Sequence, residues 1–135
     1  MNKILVGTDT SAAADLAVQS AAELARTNDA ELLVLHVRAD SAARDAVDPK
    51  KSADATGYLA EMERRFPSIT VRGWSESGDP AERLVAIAEQ ERVATIVIGN
   101  RGTHGSWWRV RDSVPNLVLR HAPCSVMIVD TRAAQ

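Results

Sequence analysis

Hydrophobic residues in this sequence fall into short runs rich in Val, Ile and Leu, separated by longer segments in which apolar and polar positions mix. Such runs are typical of strands that are covered on both faces, as in a parallel sheet. The third run alternates apolar with polar residues, which favours a position near an edge of the sheet. The predicted strands are Lys3–Gly7, Glu31–Val37, Ile69–Trp74, Thr95–Ile98 and Cys124–Val129.

The segments between these strands carry apolar residues at helical spacing, bounded by capping and breaking residues. The signals are, in chain order, Ser11, Asn28, Pro67, Asp79 with Pro80, Ser113, and Ala122-Pro123. The first predicted helix has Ala13, Leu16, Ala17, Ala21, Leu24 and Ala25 on one face, the second has Ala55, Tyr58, Leu59, Met62 and Phe66 at helical spacing, the third buries Leu84, Val85, Ile87 and Ala88, and the last carries Leu117, Val118 and Leu119. The polar stretch from Arg38 to about Lys51 has little periodicity and is expected to form a surface loop.

Strand and helix alternate along the whole sequence, which predicts an α/β fold with a parallel sheet and helices on both of its faces. The 135 residues are enough for one domain, expected to span residues 1–135. In sheets of this kind ligands bind beyond the carboxyl ends of the strands, where successive connections diverge to opposite faces. The candidate site is therefore sought in the loops that follow the strands.

Charge and composition narrow the function classes. A formal net charge of -2 gives no reason to expect nucleic acid or an anionic membrane as partner. No apolar segment approaches the roughly 20 residues of a membrane span, and the start of the chain lacks a signal peptide's apolar region, so we expect a cytoplasmic protein. Cys124 is the single cysteine and is expected to be a buried thiol, no Cys/His cluster indicates zinc, and His36 and His121 are expected to be structural.

Two strand ends carry residues suited to a ligand. The fourth strand leads into the glycine-rich segment Gly99–Gly105, which also holds Arg101 and His104. It fits neither G-x-G-x-x-G nor a P-loop, so a phosphate-binding loop and a tight strand-to-helix connection both remain open. The first strand ends at Thr8 and Asp9, where the carboxylate suits either a turn or a contact to a sugar hydroxyl or base amino group. If the first and fourth strands are neighbours, the Asp9 carboxylate and the glycine-rich segment face the same crevice, as expected for a nucleotide-binding site.

Taken together, these segments resemble the universal stress protein family over nearly the whole chain. The residues that carry the resemblance are Ile4–Ser11, Gly78-Asp79-Pro80, Ile98–Gly102, Ser113 and His121–Val126. It implies a five-stranded parallel sheet in the order 3-2-1-4-5, in a three-layer, Rossmann-like sandwich. It also implies an adenine nucleotide such as ATP as ligand, and a homodimer formed through the last strand, around Ser125–Val129.

The resemblance also assigns ligand contacts by position. Asp9 and Val37, with Thr8 beside them, would lie near the adenine. Gly99, Arg101 and Gly102, with Ile98 before them, would contact the ribose and phosphates. Asp112, Ser113 and Val114 would lie at the phosphates.

One position departs from the family's nucleotide-binding pattern, in which nine residues separate the second glycine from the next glycine. Here that position is Asp112, whose negative charge would face an anionic ligand unless Arg109 or Arg111 neutralises it or Asp112 helps to hold Mg²⁺. The alternative is therefore a nucleotide-free dimeric interaction module, to which Trp107 and Trp108 would contribute a loop or subunit contact.

Enzymatic activity is the least supported class, because no general base or nucleophile stands at a recognisable spacing from Arg101 or His104. We expect no catalytic residues, although weak ATP hydrolysis stays open.

Overall fold

The structure is a computed structural model that describes residues 2–38, 49–100 and 114–131. Its elements are β1 (Lys3–Thr8), α1 (Ala12–Thr27), β2 (Glu31–Arg38), α2 (Pro49–Arg65), β3 (Val71–Ser77), α3 (Pro80–Gln90), β4 (Thr95–Gly99), α4 (Val114–His121) and β5 (Ser125–Val129). The five strands form one parallel sheet in the order β3-β2-β1-β4-β5. The predicted fold class and strand order are therefore confirmed, including the edge position of the third strand.

Two apolar layers cover the two faces of the sheet. On one face α1 and α2 pack over side chains such as Ile4, Val6 and Val97. On the other face α3 and α4 pack over Leu5, Leu35 and Ile98 together with their neighbours. Adjacent residues of β1 therefore point to opposite layers, which explains why its apolar run shows no alternation.

The packed face of α1 differs from the prediction. Leu16 and Leu24 are only half-buried, whereas Ala14 and Val18 are fully enclosed. The fully buried face consists of Ala13, Ala14, Ala17, Val18, Ala21, Ala22 and Ala25. Alanine allows the helix backbone to come close to the sheet, so the two larger leucines lie at the margins of the contact.

Several predicted boundaries are also corrected. Arg38 belongs to β2 and not to the following loop, because β2 pairs with β3 as far as Arg38 and Ser77. The third strand starts at Val71 and not at Ile69. Ile69 lies in a turn, in which its amide donates to the Phe66 carbonyl at 3.3 Å. The second helix already begins at Pro49, and the last strand begins at Ser125, one residue after Cys124. The Cys124 thiol is half-buried, and this partial burial raises its pKa.

Candidate functional site

The carboxyl ends of β1 and β4 lie side by side at the centre of the sheet. The two strands pair through Ile4 with Thr95 and Val6 with Val97, so the same register brings Thr8 level with Gly99. After β1 the chain continues into α1 on one face, whereas α4, which follows β4, covers the opposite face. The connections diverge at this point, which is where open α/β sheets form ligand crevices.

The turn between β1 and α1 is held by its own side chains. The buried Thr8 Oγ1 accepts a hydrogen bond from the Thr10 amide at 2.9 Å. Asp9 Oδ1 accepts one from the Ser11 amide at 3.0 Å, and Ser11 caps α1 by accepting from the Ala14 amide at 3.0 Å. Thr10 adopts a left-handed conformation with φ of 68°. The helix cap is therefore Ser11, and Asp9 uses one carboxylate oxygen to shape the turn.

The second carboxylate oxygen of Asp9 has no such role. Asp9 Oδ2 is buried and has no hydrogen-bond partner among the described residues. A buried carboxylate oxygen without a donor costs free energy, so such atoms in proteins usually meet a ligand, an ion or water. Asp9 directly follows β1, where the connections diverge, and this atom is the strongest local indication of a binding site in the described part of the chain.

Val37 lies beside Asp9, because the β1–β2 register pairs Thr8 with His36. Its side chain is buried in the core between the sheet, α3 and α4. Any contact from Val37 to a ligand would therefore come from its backbone. The side chains of Ile98 and Val114 are likewise enclosed in this core, which leaves them the same limited role.

Gly99 has a structural reason to be glycine that does not involve a ligand. A Cβ atom at this position would lie 2.7 Å from Thr131 Cγ2. Thr131 is fully buried, and Asn100 Oδ1 accepts hydrogen bonds from its amide at 3.0 Å and from its hydroxyl at 3.2 Å. The Asn100 amide in turn donates to the Val129 carbonyl at 2.9 Å. The sequence analysis did not single out Asn100 or Thr131.

The rest of the predicted phosphate-binding segment lies outside the described residues. This holds for Arg101, Gly102, Asp112 and Ser113, and equally for His104, Trp107, Trp108, Arg109 and Arg111. Their ligand roles therefore stay predictions. Of the predicted contacts, the structure describes Thr8, Asp9, Val37, Ile98, Gly99 and Val114.

Two charged or titratable side chains, those of His36 and Arg38, lie at the carboxyl end of β2, next to the end of β1. His36 Nδ1 is 2.8 Å from Ser75 Oγ, and burial lowers the His36 pKa. The positive charge of Arg38 lowers this pKa further, while the negative charge of Asp9 opposes the shift, so both charges are felt at His36. Arg38 Nε is buried without a hydrogen-bond partner among the described residues, and its carbonyl accepts from the Gly78 amide at 2.8 Å. The sequence pattern predicted Arg38 as the first residue of a surface loop and did not indicate it as a residue near the candidate site.

Within the described ranges no group of three or more His, Cys, Asp or Glu side chains is arranged to hold a metal ion. None of the helices in those ranges is both long and apolar enough to cross a membrane.

Comparison with known proteins identifies the family. The model of the universal stress protein family matches residues 1–130. The chain belongs to the universal stress protein family. Universal stress protein YxiE of Bacillus subtilis is 28% identical over 150 residues, which cover 95% of this chain and 98% of that protein. Universal stress protein Rv1636 of Mycobacterium tuberculosis is 31% identical over 141 residues, which cover 95% of each chain.

Solved structures of universal stress proteins share the fold. A crystal structure of a universal stress protein in complex with cAMP has a TM-score of 0.77 and 27% identity, covering 96% of this chain and 97% of that one. The UspA protein from Lactobacillus plantarum has a TM-score of 0.76 and 28% identity, covering 95% of this chain and 97% of that one.

Proposed function

We propose that this universal stress protein binds an adenine nucleotide in the crevice where β1 and β4 end. The observation that carries the proposal is the buried Oδ2 of Asp9, which has no hydrogen-bond partner in the part of the chain that the structure describes, at the point where the connections diverge. A carboxylate there accepts a hydrogen bond from a base amino group or a ribose hydroxyl, both of which a nucleotide supplies. The cAMP complex of a structurally similar family member supports the same ligand class.

The surroundings of Asp9 fit the base and sugar end of such a ligand. The neighbouring backbone at Val37 can pair with the edge of a base, while its side chain stays in the core. By the family resemblance we expect the phosphates beyond Gly99, at Arg101, Gly102, Ser113 and the amide of Val114. A glycine-rich loop and a helix start at these positions would favour anions. If Mg²⁺ accompanies the phosphates, Asp112 is its proposed ligand in this chain.

The proposed role is regulation in the cytoplasm during stress, without catalysis. Binding at a crevice between two loops can change loop conformation and hence the choice of partner. We assign no residue of this chain a catalytic role. Turnover above the buffer rate with saturating Mg-ATP would contradict this assignment.

We further propose that the protein forms a homodimer through β5. This strand lies at an edge of the sheet, and its Ile128 is 40% exposed. Leu119 of the preceding α4 is 53% exposed, which adds apolar surface to the same end of the chain. A second copy of the strand would cover both the open edge and an apolar side chain.

A screen of nucleotides tests the proposed ligand class. Isothermal titration calorimetry and thermal-shift measurements with ATP, ADP, AMP and cAMP should reveal at least one adenine nucleotide that binds and raises the melting temperature. Guanine nucleotides serve as the control for the base. Flat titrations with every nucleotide, together with a retained dimer, would favour the nucleotide-free interaction module instead. Gain of binding in Asp112→Gly would then locate the cause in the charge at that position.

A further inference from the structure

Arg38 is the last residue of β2, and its guanidinium has a donor that the described residues do not use. Its Nε is buried and has no hydrogen-bond partner among residues 2–38, 49–100 and 114–131. The guanidinium is charged, and its N–H groups can only donate. Buried donors of this kind usually serve a ligand, an ion or water, because leaving them unpaired is costly. Arg38 as a whole is only half-buried, so a ligand can reach it.

Arg38 and Asp9 lie at neighbouring strand ends. The β1–β2 register pairs Thr8 with His36. Asp9 therefore leaves β1 close to where Arg38 ends β2, across a strand spacing of about 4.8 Å. The backbone of Arg38 is fixed there, because its carbonyl accepts from the Gly78 amide at 2.8 Å. The register thus makes the two side chains neighbours at the carboxyl edge of the sheet.

Both side chains belong to the face of the sheet that α1 and α2 cover. Side chains alternate along a strand, and Val37 is enclosed on the face of α3 and α4, so Arg38 lies on the opposite face. Asp9 is tied to that face, because its Oδ1 accepts from the amide of Ser11, the cap of α1. The charges of Arg38 and Asp9 shift the pKa of His36 in opposite directions, which agrees with this placement.

The two groups do not satisfy each other. Asp9 Oδ2 is a buried acceptor and Arg38 Nε a buried donor, and neither has a partner in the ranges that the structure describes. Elsewhere in the chain such groups do pair, as Arg65 and Asp15 do at 2.7 Å. A molecule that offers a donor to Asp9 beside an acceptor for Arg38 would satisfy both atoms. Adenosine offers this combination twice, in the amino group and ring nitrogen of the base and in the two ribose hydroxyls.

We propose that Arg38 is a second ligand-binding residue of the nucleotide site: its Nε donates to the nucleoside part of the ligand, beside the group that donates to Asp9 Oδ2. The inference rests on the proposed function for its ligand. It adds that the nucleoside is recognised by a donor and an acceptor at the ends of β2 and β1. Because the contact is to the nucleoside, it contributes whether or not phosphates are present.

The first test is the affinity of Arg38→Met for the nucleotide found in the screen, by isothermal titration calorimetry. Methionine keeps an unbranched side chain for packing and removes the donor. Binding should weaken by roughly 10- to 150-fold, as expected for loss of a hydrogen bond from a charged group. Arg64→Met, which removes the same charge from an exposed position in the last turn of α2, should bind like the natural chain. Equal affinities of Arg38→Met and the natural chain would overturn the inference.

Adenosine, measured by competition with the same nucleotide, tests the nucleoside contact. Arg38→Met should weaken adenosine by the same factor as the nucleotide. A loss seen with the nucleotide and absent with adenosine would show that Arg38 acts on the phosphate charge, which contradicts the inference. Failure of adenosine to compete with the nucleotide on the natural chain would contradict it as well.

A double-mutant cycle tests whether Asp9 and Arg38 bind neighbouring atoms of the ligand. Loss of either contact lets the ligand shift away from the other, so the combined loss in Asp9→Asn, Arg38→Met should be smaller than the product of the two single losses. A combined loss equal to that product would show independent contacts and would overturn the shared site.

Two analogues of the bound nucleotide distinguish the base from the sugar. The purine riboside analogue lacks the amino group, and the 2′,3′-dideoxy analogue lacks both hydroxyls. Asp9→Asn should no longer weaken the analogue that has lost the donor for Oδ2, and should still weaken the other. If Asp9→Asn weakens both analogues as much as the parent nucleotide, neither group is bound there and the inference is overturned.

Urea denaturation without nucleotide separates a ligand role from a structural one. Arg38→Met removes a buried donor that no described residue pairs, so its unfolding midpoint should equal or exceed that of the natural chain. A lower midpoint would show that the guanidinium supports the fold and would overturn the inference. If the natural chain binds no nucleotide, the proposed function itself fails. If it binds and Arg38→Met binds equally well, only this inference fails.

Discussion

Replacing Gly99 with alanine tests whether this glycine serves packing at the end of β4. The added Cβ would lie 2.7 Å from Thr131 Cγ2, which is closer than two carbon atoms can approach without movement. Thr131 cannot yield easily, because its side chain is fully buried and Asn100 binds both its amide and its hydroxyl. The same Cβ would be 3.5 Å from Thr131 Oγ1, an ordinary contact. The strain therefore comes from one methyl group.

The expected magnitude follows from two opposing effects. Overpacking a buried contact by one carbon typically costs about 1–3 kcal/mol. Alanine also lowers the conformational entropy of the unfolded chain relative to glycine, which raises the free energy of unfolding by about 0.4–1 kcal/mol. We therefore expect Gly99→Ala to lower the free energy of unfolding by up to about 2.5 kcal/mol, measured by urea denaturation followed by circular dichroism.

A second variant identifies the responsible atom. Thr131→Ser removes Cγ2 and keeps the hydroxyl that donates to Asn100, at a cost of about 1 kcal/mol for the lost methyl. In the Gly99→Ala, Thr131→Ser double variant the clash is absent, so the two losses of stability should not add. The double variant should be more stable than the sum of the two single losses predicts, by about 1–3 kcal/mol. Additive effects of the two substitutions in the double variant would refute the assignment of Gly99 to packing.

Two further predictions concern pH and assembly. The pKa of His36 in the folded protein lies below its ordinary value of 6.5, so the unfolded chain binds a proton there more readily than the folded protein does. The contribution of neutral His36 to the free energy of unfolding is therefore fully present above pH 6.5 and decreases as the pH falls below 6.5. His36→Asn should flatten the dependence of the urea midpoint between about pH 5 and 7, and an unchanged slope would exclude His36 as its source. Ile128→Asp should weaken the proposed dimer in sedimentation velocity measurements, whereas identical sedimentation of the variant and a dimeric natural chain would place the interface elsewhere.

The sequence allowed the central strands to be predicted because their environment is uniform. β1, β2 and β4 are buried on both faces, so a continuous run of Val, Ile and Leu is enough to locate them. β3 was misplaced by two residues at its start, since Ile69 is apolar and packs against the core from a turn. The apolar pattern records burial, which turn residues and strand residues share.

The site was predicted less completely, because its geometry depends on contacts between distant parts of the chain. Asp9 could be selected from its place after β1, but the separate roles of its two oxygens appear only when the turn is built. The contact that explains Gly99 joins it to Thr131, far along the chain. The hydroxyl of Tyr58 reaches Asp15 across 43 positions, and its helical spacing revealed only that its ring faces the core. Local patterns carry no information about such pairings.

The most direct test of the nucleotide site is the affinity of Asp9→Asn for the nucleotide that binds the natural chain. Asparagine keeps an oxygen for the Ser11 amide and replaces Oδ2 with a donor, so the turn is retained while the acceptor in the crevice is lost. Asp29→Asn is the matched control, because Asp29 has a φ of 52°, which asparagine tolerates, and lies in the turn between α1 and β2.

By isothermal titration calorimetry, Asp9→Asn should bind roughly 10- to 150-fold more weakly, as expected for loss of a hydrogen bond to a charged group. Asp29→Asn should bind like the natural chain. Equal affinities of Asp9→Asn and the natural chain for the same nucleotide would contradict a site built on Asp9.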